Sequence, residues 1–332
     1  MSEPRSALYF LGPQWFAPVM GWCGLTLAWH RAGSMLGEPA HRLAQGCGAI
    51  AALIFCAVLA GALLRLVRHP DALPEDLAHP VRQGFAAAFP VSFILLGAVA
   101  VALDLPAWAG RSLWAIGLAL QLTVTTWLIS RWMRGQLPWA SLTPVLYIPI
   151  VGNILVPLAG VPLGHAELSW AFFGIGAFFW PVVTAMLLVR QAQQPLPDRL
   201  APSWFITVAP PSVAGASGLA LGAPAPLAFA ALGVASLLLL ASATRVPAML
   251  RSGFGMPAWA ASFPLAAFAA LLLRTAADTP ALQLPGVAML AVSSLVIAGL
   301  TLATLKGLRA GTLLAPEPVA TLTVQPNAPP AR

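Results

Sequence analysis

Residues 257–274 read PAWAASFPLAAFAALLLR, an apolar run with a proline near its middle and an arginine at its end. A helix needs about 20 apolar residues to cross the hydrocarbon core of a bilayer. Similar runs recur along the 332 residues, of which 59% are hydrophobic and 8% are charged. Soluble domains carry about 25% charged residues. The composition therefore excludes a soluble globular protein and a disordered one, and it predicts a chain that crosses the membrane many times.

Apolar runs bounded by Arg, Pro, Gly or Asp predict ten transmembrane helices. The alternation of polar and apolar residues that membrane β-strands require is absent from these runs, so the predicted fold class is an all-α polytopic membrane protein. Residues 1–9 are expected to be a cytoplasmic segment, residues 10–311 the ten-helix domain, and residues 312–332 a disordered tail rich in Pro and Ala. The ten predicted ranges are 10–30, 43–67, 81–103, 110–131, 141–161, 166–190, 201–221, 225–246, 257–274 and 281–306.

The basic residues predict the orientation, because cytoplasmic loops of membrane proteins are enriched in Lys and Arg. With the N-terminus inside and ten crossings, 13 of the 17 Lys and Arg residues lie on the inner side. The outer side holds Arg31, Arg42, Arg111 and Arg274. We therefore expect a multi-pass protein of the inner (plasma) membrane with both termini in the cytoplasm. Basic residues confined to short loops between helices do not indicate nucleic-acid binding.

Each odd-numbered helix carries a proline well inside its apolar run, at Pro18, Pro90, Pro149, Pro210 and Pro264. The spacing indicates five copies of a two-helix unit of about 60 residues. The odd-numbered helices are also richer in Ala, Gly and Ser, which let helices approach closely in lipid. We therefore predict an inner ring of five proline-kinked helices around a central pathway and five straighter helices outside. The alternative is that the prolines only shape the bundle.

The predicted helices have no Asp, Glu, Lys or Arg near the middle of the membrane. Carriers driven by protons or sodium usually place an ionisable residue there. A neutral pathway can still conduct anions that hydroxyl, amide and backbone donors hold weakly. Arg82 could recruit anions at the cytoplasmic mouth, or could equally be an ordinary membrane anchor. The candidate donors are Ser92, Asn153, Ser212, Ser217 and Ser262, although each hydroxyl could instead bond to the backbone of its own helix.

Two phenylalanines, Phe89 and Phe263, each precede a proline of an odd-numbered helix. A ring that projects into a narrow, neutral pore would close it, although packing is the commoner role for a phenylalanine. The five histidines and three cysteines lack the spacing of metal ligands, and no nucleotide-binding or catalytic motif is present. We therefore expect no metal, no cofactor and no enzymatic activity.

Several short motifs occur in the order found in one known family. They are FAPVMG at 16–21, HPVR at 79–82, YIP at 147–149, GN at 152–153, AFFGIG at 171–176, APPS at 209–212 and WAASFPLA at 259–266. Over residues 10–308 the chain resembles the tellurite-resistance/dicarboxylate transporter family, which includes plant slow-type anion channels. The resemblance implies five helical hairpins with quasi-five-fold symmetry, odd helices that line a pore, and a homotrimer. It also implies that a phenylalanine of the ninth helix, here Phe263, closes the pore.

The function predicted from these features is a channel that passes small anions, such as chloride or nitrate, down their gradient through a neutral pore gated by Phe263. The alternative is a secondary carrier for a C4-dicarboxylate, sulfite or an oxyanion, of the kind linked to tellurite resistance. The lack of a titratable group near the middle of the membrane favours the channel. A third possibility is a membrane scaffold without a continuous pore.

Overall fold

The computed structural model describes residues 6–315. These residues form α-helices, 3-10 turns and loops without any β-strand, which confirms the all-α class. Residues 1–5 and most of the predicted tail, residues 316–332, lie outside the described part of the chain. In the described part, seven helices are long and apolar enough to cross a membrane, which makes this a multi-pass membrane protein. They are Glu38–Arg68, Arg82–Ala102, Ala107–Met133, Ala166–Gln193, Ala225–Ala243, Met256–Ala276 and Pro280–Arg309.

The main helical segments are labelled α1 to α10 in chain order. Short helices at Ala72–Ala78, Arg82–Phe85 and Val246–Arg251 connect some of them. The segments are α1 (Ala17–Leu36), α2 (Glu38–Arg68), α3 (Ala88–Ala102), α4 (Ala107–Met133), α5 (Pro144–Gly160), α6 (Ala166–Gln193), α7 (Ala209–Ala220), α8 (Ala225–Ala243), α9 (Ser262–Ala276) and α10 (Gln283–Arg309). The segments α1, α5 and α7 are not among the seven long apolar helices.

The prolines predicted to kink the odd segments lie instead at the start of new helices. Pro18, Pro90, Pro210 and Pro264 fall within the first three residues of α1, α3, α7 and α9. Proline is tolerated there because its missing N–H would have no partner within the helix. The preceding residues form 3-10 turns at Pro13–Phe16, Asp198–Val208 and Met256–Ala261, and a short helix at Arg82–Phe85.

The α5 segment is the most irregular, because Pro149 lies in a four-residue helix, Tyr147–Ile150, that a 3-10 turn follows at Val151–Leu155. A last short helix, Pro157–Gly160, ends the segment. The proline-kinked helix predicted over residues 141–161 is therefore replaced by short helices and a 3-10 turn, although the segment itself is present.

Burial alternates along the chain. In the 18-residue apolar stretches of the spanning helices that contain α3 and α9, 72% and 78% of the residues are buried, whereas the share in the corresponding stretches of α2, α4, α6, α8 and α10 is 22–28%. Most residues of α1, α5 and α7 are buried as well. The buried segments contact one another in the order α1, α3, α5, α7 and α9, and α9 contacts α1, so that the circuit closes. Each exposed segment packs against the buried segment before it.

Candidate functional site

Two cavities lie between the buried segments, and the side chains of Phe263 and Val213 line both of them. The first cavity, of about 60 Å³, is lined almost wholly by apolar side chains from all five buried segments. The second, of about 260 Å³, lies towards the C-terminal ends of α1, α3 and α9. Phe263 is only 7% exposed, and it contributes to the lining of both cavities.

Small residues of α1 allow this helix to approach α9 closely. A Cβ on Gly21 would collide with the side chain of Ser262, and it would lie 3.3 Å from the ring of Trp259. Both partners are fully or almost fully buried. Gly21 therefore lets α1 approach the start of α9, next to Phe263 in sequence.

The predicted hydroxyl donors all bond to backbone carbonyls. Ser92 donates to Ala88, Ser212 to Val208 and Ser262 to Trp259, each at 2.7 Å. Ser217 donates across to the carbonyl of Ile154 at 2.6 Å. A hydroxyl has a single proton, so in this conformation none of them offers a free donor to an ion. Only Ser212 lines a cavity, the second one.

Asn153 bonds to α4 and to the backbone of its own segment. Its Nδ2 donates to Oγ1 of Thr125 at 3.0 Å and to the carbonyl of Ile150 at 2.8 Å, and the residue is fully buried without lining either cavity.

The other predicted pore residues divide into two groups. Pro210, Pro264 and Phe263 line the first cavity, whereas Pro18, Pro90, Pro149 and Phe89 line neither. Phe89 packs against the rings of Phe16 and Phe93, whose centroids lie 5.1 and 5.2 Å away.

Arg82 is engaged in ion pairs and lines neither cavity. Its guanidinium donates to Oδ1 of Asp76 at 2.9 Å and to Oε1 of Glu75 at 3.3 Å. Asp76 is fully buried, and its other oxygen accepts from Arg65 at 2.6 Å. The positive charge of Arg82 is thus compensated by carboxylates next to it.

A family model described as "SLAC1: Voltage-dependent anion channel" matches residues 11–305. The chain belongs to the SLAC1 family of voltage-dependent anion channels. The resemblance read from the motifs is therefore confirmed, and anion transport is supported at the level of the family.

Three curated relatives of this SLAC1-family chain illustrate the range of similarity. The S-type anion channel SLAH2 of Arabidopsis thaliana is 28% identical over 229 residues, which are 68% of this chain and 44% of the relative. The S-type anion channel SLAH3 of the same plant is 26% identical over 270 residues, 79% of this chain and 42% of the relative. The uncharacterized transporter MJ0576 of Methanocaldococcus jannaschii is 28% identical over 211 residues, 60% of each chain. The chain thus spans about half the length of the relatives it matches.

Sequence reasoning missed a group of polar residues on α4 that supports the broken α5. Nε2 of Gln121 donates to the carbonyls of Ile148 and Pro149 at 3.1 and 3.2 Å, and Oγ1 of Thr125 donates to that of Pro149 at 2.6 Å. Nε1 of Trp114 donates to the carbonyl of Val156 at 3.0 Å. Irregular backbone within a membrane needs such partners, since no water satisfies its carbonyls there. A lone Gln within an apolar helix was the available signal.

Other residues that line the first cavity include Phe85, Tyr147 and Trp259. Tyr147 and Trp259 lie in motifs quoted from the sequence, but neither was predicted to line the pore, and Phe85 lies outside every motif. Within residues 6–315, no group of three or more His, Cys, Asp or Glu side chains is arranged to hold a metal ion.

Proposed function

We propose that this SLAC1-family protein is a passive channel for small anions, chloride or nitrate among them, with a pore that runs through the circuit of buried segments and is closed at Phe263. The observation that carries the proposal is that Phe263 lines both an apolar cavity and a cavity with charged residues. An aromatic ring in a dry, narrow passage blocks ions sterically and by excluding water.

The proposed architecture has ten crossings arranged as five hairpins with quasi-five-fold symmetry. In this arrangement α1, α5 and α7 cross the membrane together with the 3-10 turns beside them, and residues 10–311 form the channel domain. The alternating burial and the closed circuit of contacts support it. We further propose a homotrimer in the inner (plasma) membrane with both termini in the cytoplasm, following the family resemblance and the distribution of basic residues.

A channel is favoured over a carrier by the chemistry of the first cavity. Its lining residues include no Asp, Glu, Lys, Arg or His. Carriers coupled to protons or sodium usually need an ionisable group near the binding site, whereas conduction needs only weak binding. Anions would therefore move down their electrochemical gradient, without ATP, a cofactor or an enzymatic step.

Chloride and nitrate currents in planar bilayers test the proposal with three proteins: the parent, Phe263→Ala and Phe268→Ala. Phe268 is a matched control because it is a buried phenylalanine of the same helix that lines neither cavity. We expect a small parent current, an anion-selective current at least about tenfold larger in Phe263→Ala, and no such increase in Phe268→Ala.

Folded, inserted protein without current in any of the three would overturn the channel. In that case, exchange of labelled malate or sulfite across the membrane of vesicles would identify a carrier. Absence of exchange would leave a membrane scaffold without a continuous pore as the remaining possibility.

A further inference from the structure

We propose that the second cavity is a binding site for a small monovalent anion, held beside Arg31 and Arg274 at the end of the cavity away from Phe263, which precedes Arg274 by about 16 Å along α9. The role of this site in conduction rests on the proposed function. Binding of the anion itself does not, because it requires no opening at Phe263.

The charge around the second cavity is positive. Arg31 and His30 of α1 and Arg274 of α9 line it, together with a single carboxylate, Asp104, in the turn after α3. Arg31 and Arg274 lie near enough to repel each other electrostatically. Two like charges that face one cavity are stabilised by an anion between them, because it converts their repulsion into two attractions.

Neither arginine is neutralised by the protein. Within residues 6–315, no carboxylate lies within ion-pair distance of Arg31 or Arg274, and Asp104 forms no ion pair with either. Four other arginines are paired: Arg65 and Arg82 share Asp76, Arg245 pairs with Asp198, and Arg42 pairs with Glu38. Exposed arginines without a carboxylate also occur away from the cavity, as at Arg111 and Arg251, so what distinguishes Arg31 and Arg274 is that both line one cavity. Arg31 and Arg274 have no carboxylate partner and are thus available to an external anion.

The location of the two arginines is also unusual, because Lys and Arg are enriched on the cytoplasmic side of membrane proteins. In the proposed orientation, Arg31 and Arg274 belong to the few basic residues on the outer side, where Lys and Arg are disfavoured. A guanidinium presents several N–H donors in a fixed plane and is weakly hydrated, so it exchanges water for a small anion readily. The Nδ1 atom of His30, which is buried without a hydrogen-bond partner, adds a polar atom to the same wall.

A purely structural role is the competing explanation. Arg274 lies in the last turn of α9, where a positive charge stabilises the partial negative charge of the helix terminus, whereas Arg31 lies five residues before the end of α1. That role predicts lower stability after substitution, with no change in anion binding. The two explanations therefore differ in a measurable way.

Anomalous diffraction from crystals soaked in bromide tests the binding directly. The parent should show a bromide peak in the second cavity, the double variant Arg31→Gln/Arg274→Gln should lose it, and Arg111→Gln should keep it. Arg111 is a matched control, since it is an exposed arginine on the same proposed side that lines neither cavity. No peak in the parent, or a peak that persists in the double variant, would overturn the site.

Currents in the Phe263→Ala background give a second readout. At about 0.01 M salt, where the Debye length is about 30 Å, Arg31→Gln/Arg274→Gln should lower the current of anions that enter from this side by at least about threefold. The loss should largely vanish at about 1 M salt, and Arg111→Gln should show none.

The two measurements separate the proposals. Bromide bound in the parent together with no current in Phe263→Ala would refute the channel and leave the site standing. A current without bromide binding and without the side-specific loss would refute the site alone.

Discussion

The ring of Phe263 lies directly against the backbone of Gly24. A Cβ on Gly24 would approach Cδ2 of Phe263 to 3.0 Å and the Cβ of Ala266 to 3.1 Å, both tighter than ordinary van der Waals contact. No side chain therefore fits between α1 and the ring in this conformation. The position of the proposed gate is set by α1 as well as by its own helix.

Gly24→Ala is expected to destabilise the protein by about 1 kcal/mol, because the added methyl group overpacks the contact with Phe263. In a Phe263→Ala background the part of that cost due to the ring should disappear while the contact with Ala266 remains, which a double-mutant cycle on unfolding in detergent would measure. Gly46→Ala is the control, since a Cβ there meets nothing within 4 Å. Equal costs in both backgrounds would show that Gly24 does not position the ring.

Gln121→Leu should lower the free energy of unfolding by about 1–3 kcal/mol, because the carbonyl of Ile148 loses this side-chain donor and that of Pro149 keeps only the donor from Thr125. Thr123→Val on the same helix is the control: Thr123 is exposed and donates only to Ala119 of its own helix. Chemical denaturation in detergent measures both. A cost for Gln121→Leu no larger than that of the control would contradict the bridging role.

Asp76→Asn is expected to cost about 3–5 kcal/mol, because it leaves the buried guanidinium of Arg65 without its counter-charge. Glu38→Gln removes an ion pair whose side chains are 69% and 76% exposed, and it should cost no more than about 0.5 kcal/mol. Thermal unfolding of the two variants checks the contrast. Similar midpoints would show that the pair of Asp76 is as weakly stabilising as a surface pair.

Acidification should destabilise the loop around His79. Burial and then the charge of Arg82 lower the pKa of His79 below its ordinary 6.5, against the opposing effect of Asp76 and Glu75. Its Nδ1 accepts the backbone N–H groups of Val81 and Arg82 at 3.2 Å, which only the unprotonated atom can do. The folded protein therefore binds fewer protons at His79 than the unfolded chain does. This contribution to stability is present above the unfolded pKa and is lost as the pH falls below it.

The measurement for His79 is the midpoint of unfolding at pH values from about 7.5 down to about 5.5, the range in which an unperturbed histidine gains its charge. The difference in midpoint between the parent and His79→Gln should narrow as the pH falls. A constant difference across this range would contradict the prediction.

Much of the fold was predictable, because membrane helices carry long apolar runs and because proline cannot donate a backbone hydrogen bond. Pro18, Pro90, Pro210 and Pro264 marked the positions at which four buried segments restart. Helix boundaries were less accurate. The first helix was predicted over 10–30 and is found at Ala17–Leu36, since composition does not distinguish a 3-10 turn such as Pro13–Phe16 from an α-helix.

The site was harder to predict, because the direction of a side chain depends on how each helix is rotated against its neighbours. Asn153 was expected to line the pore, yet it bonds to Thr125 of α4 instead. Arg82 was expected at the mouth of the pore, yet it is paired with Asp76 and Glu75, which lie six and seven residues before it. The charged wall beside Arg274 is formed by residues distant in sequence, so only the packed structure shows it.

In the proposed channel, the layer formed by Phe263 and Val213, which line both cavities, would also have an electrical consequence. When water fills the cavities on its two faces, a membrane voltage that would otherwise fall over about 30 Å of hydrocarbon falls mainly across those two side chains. The local field is then several times stronger than the average field in the bilayer. A voltage of 100 mV corresponds to roughly 2.3 kcal/mol per elementary charge. An ion would gain or lose most of this energy in the single step in which it crosses the layer.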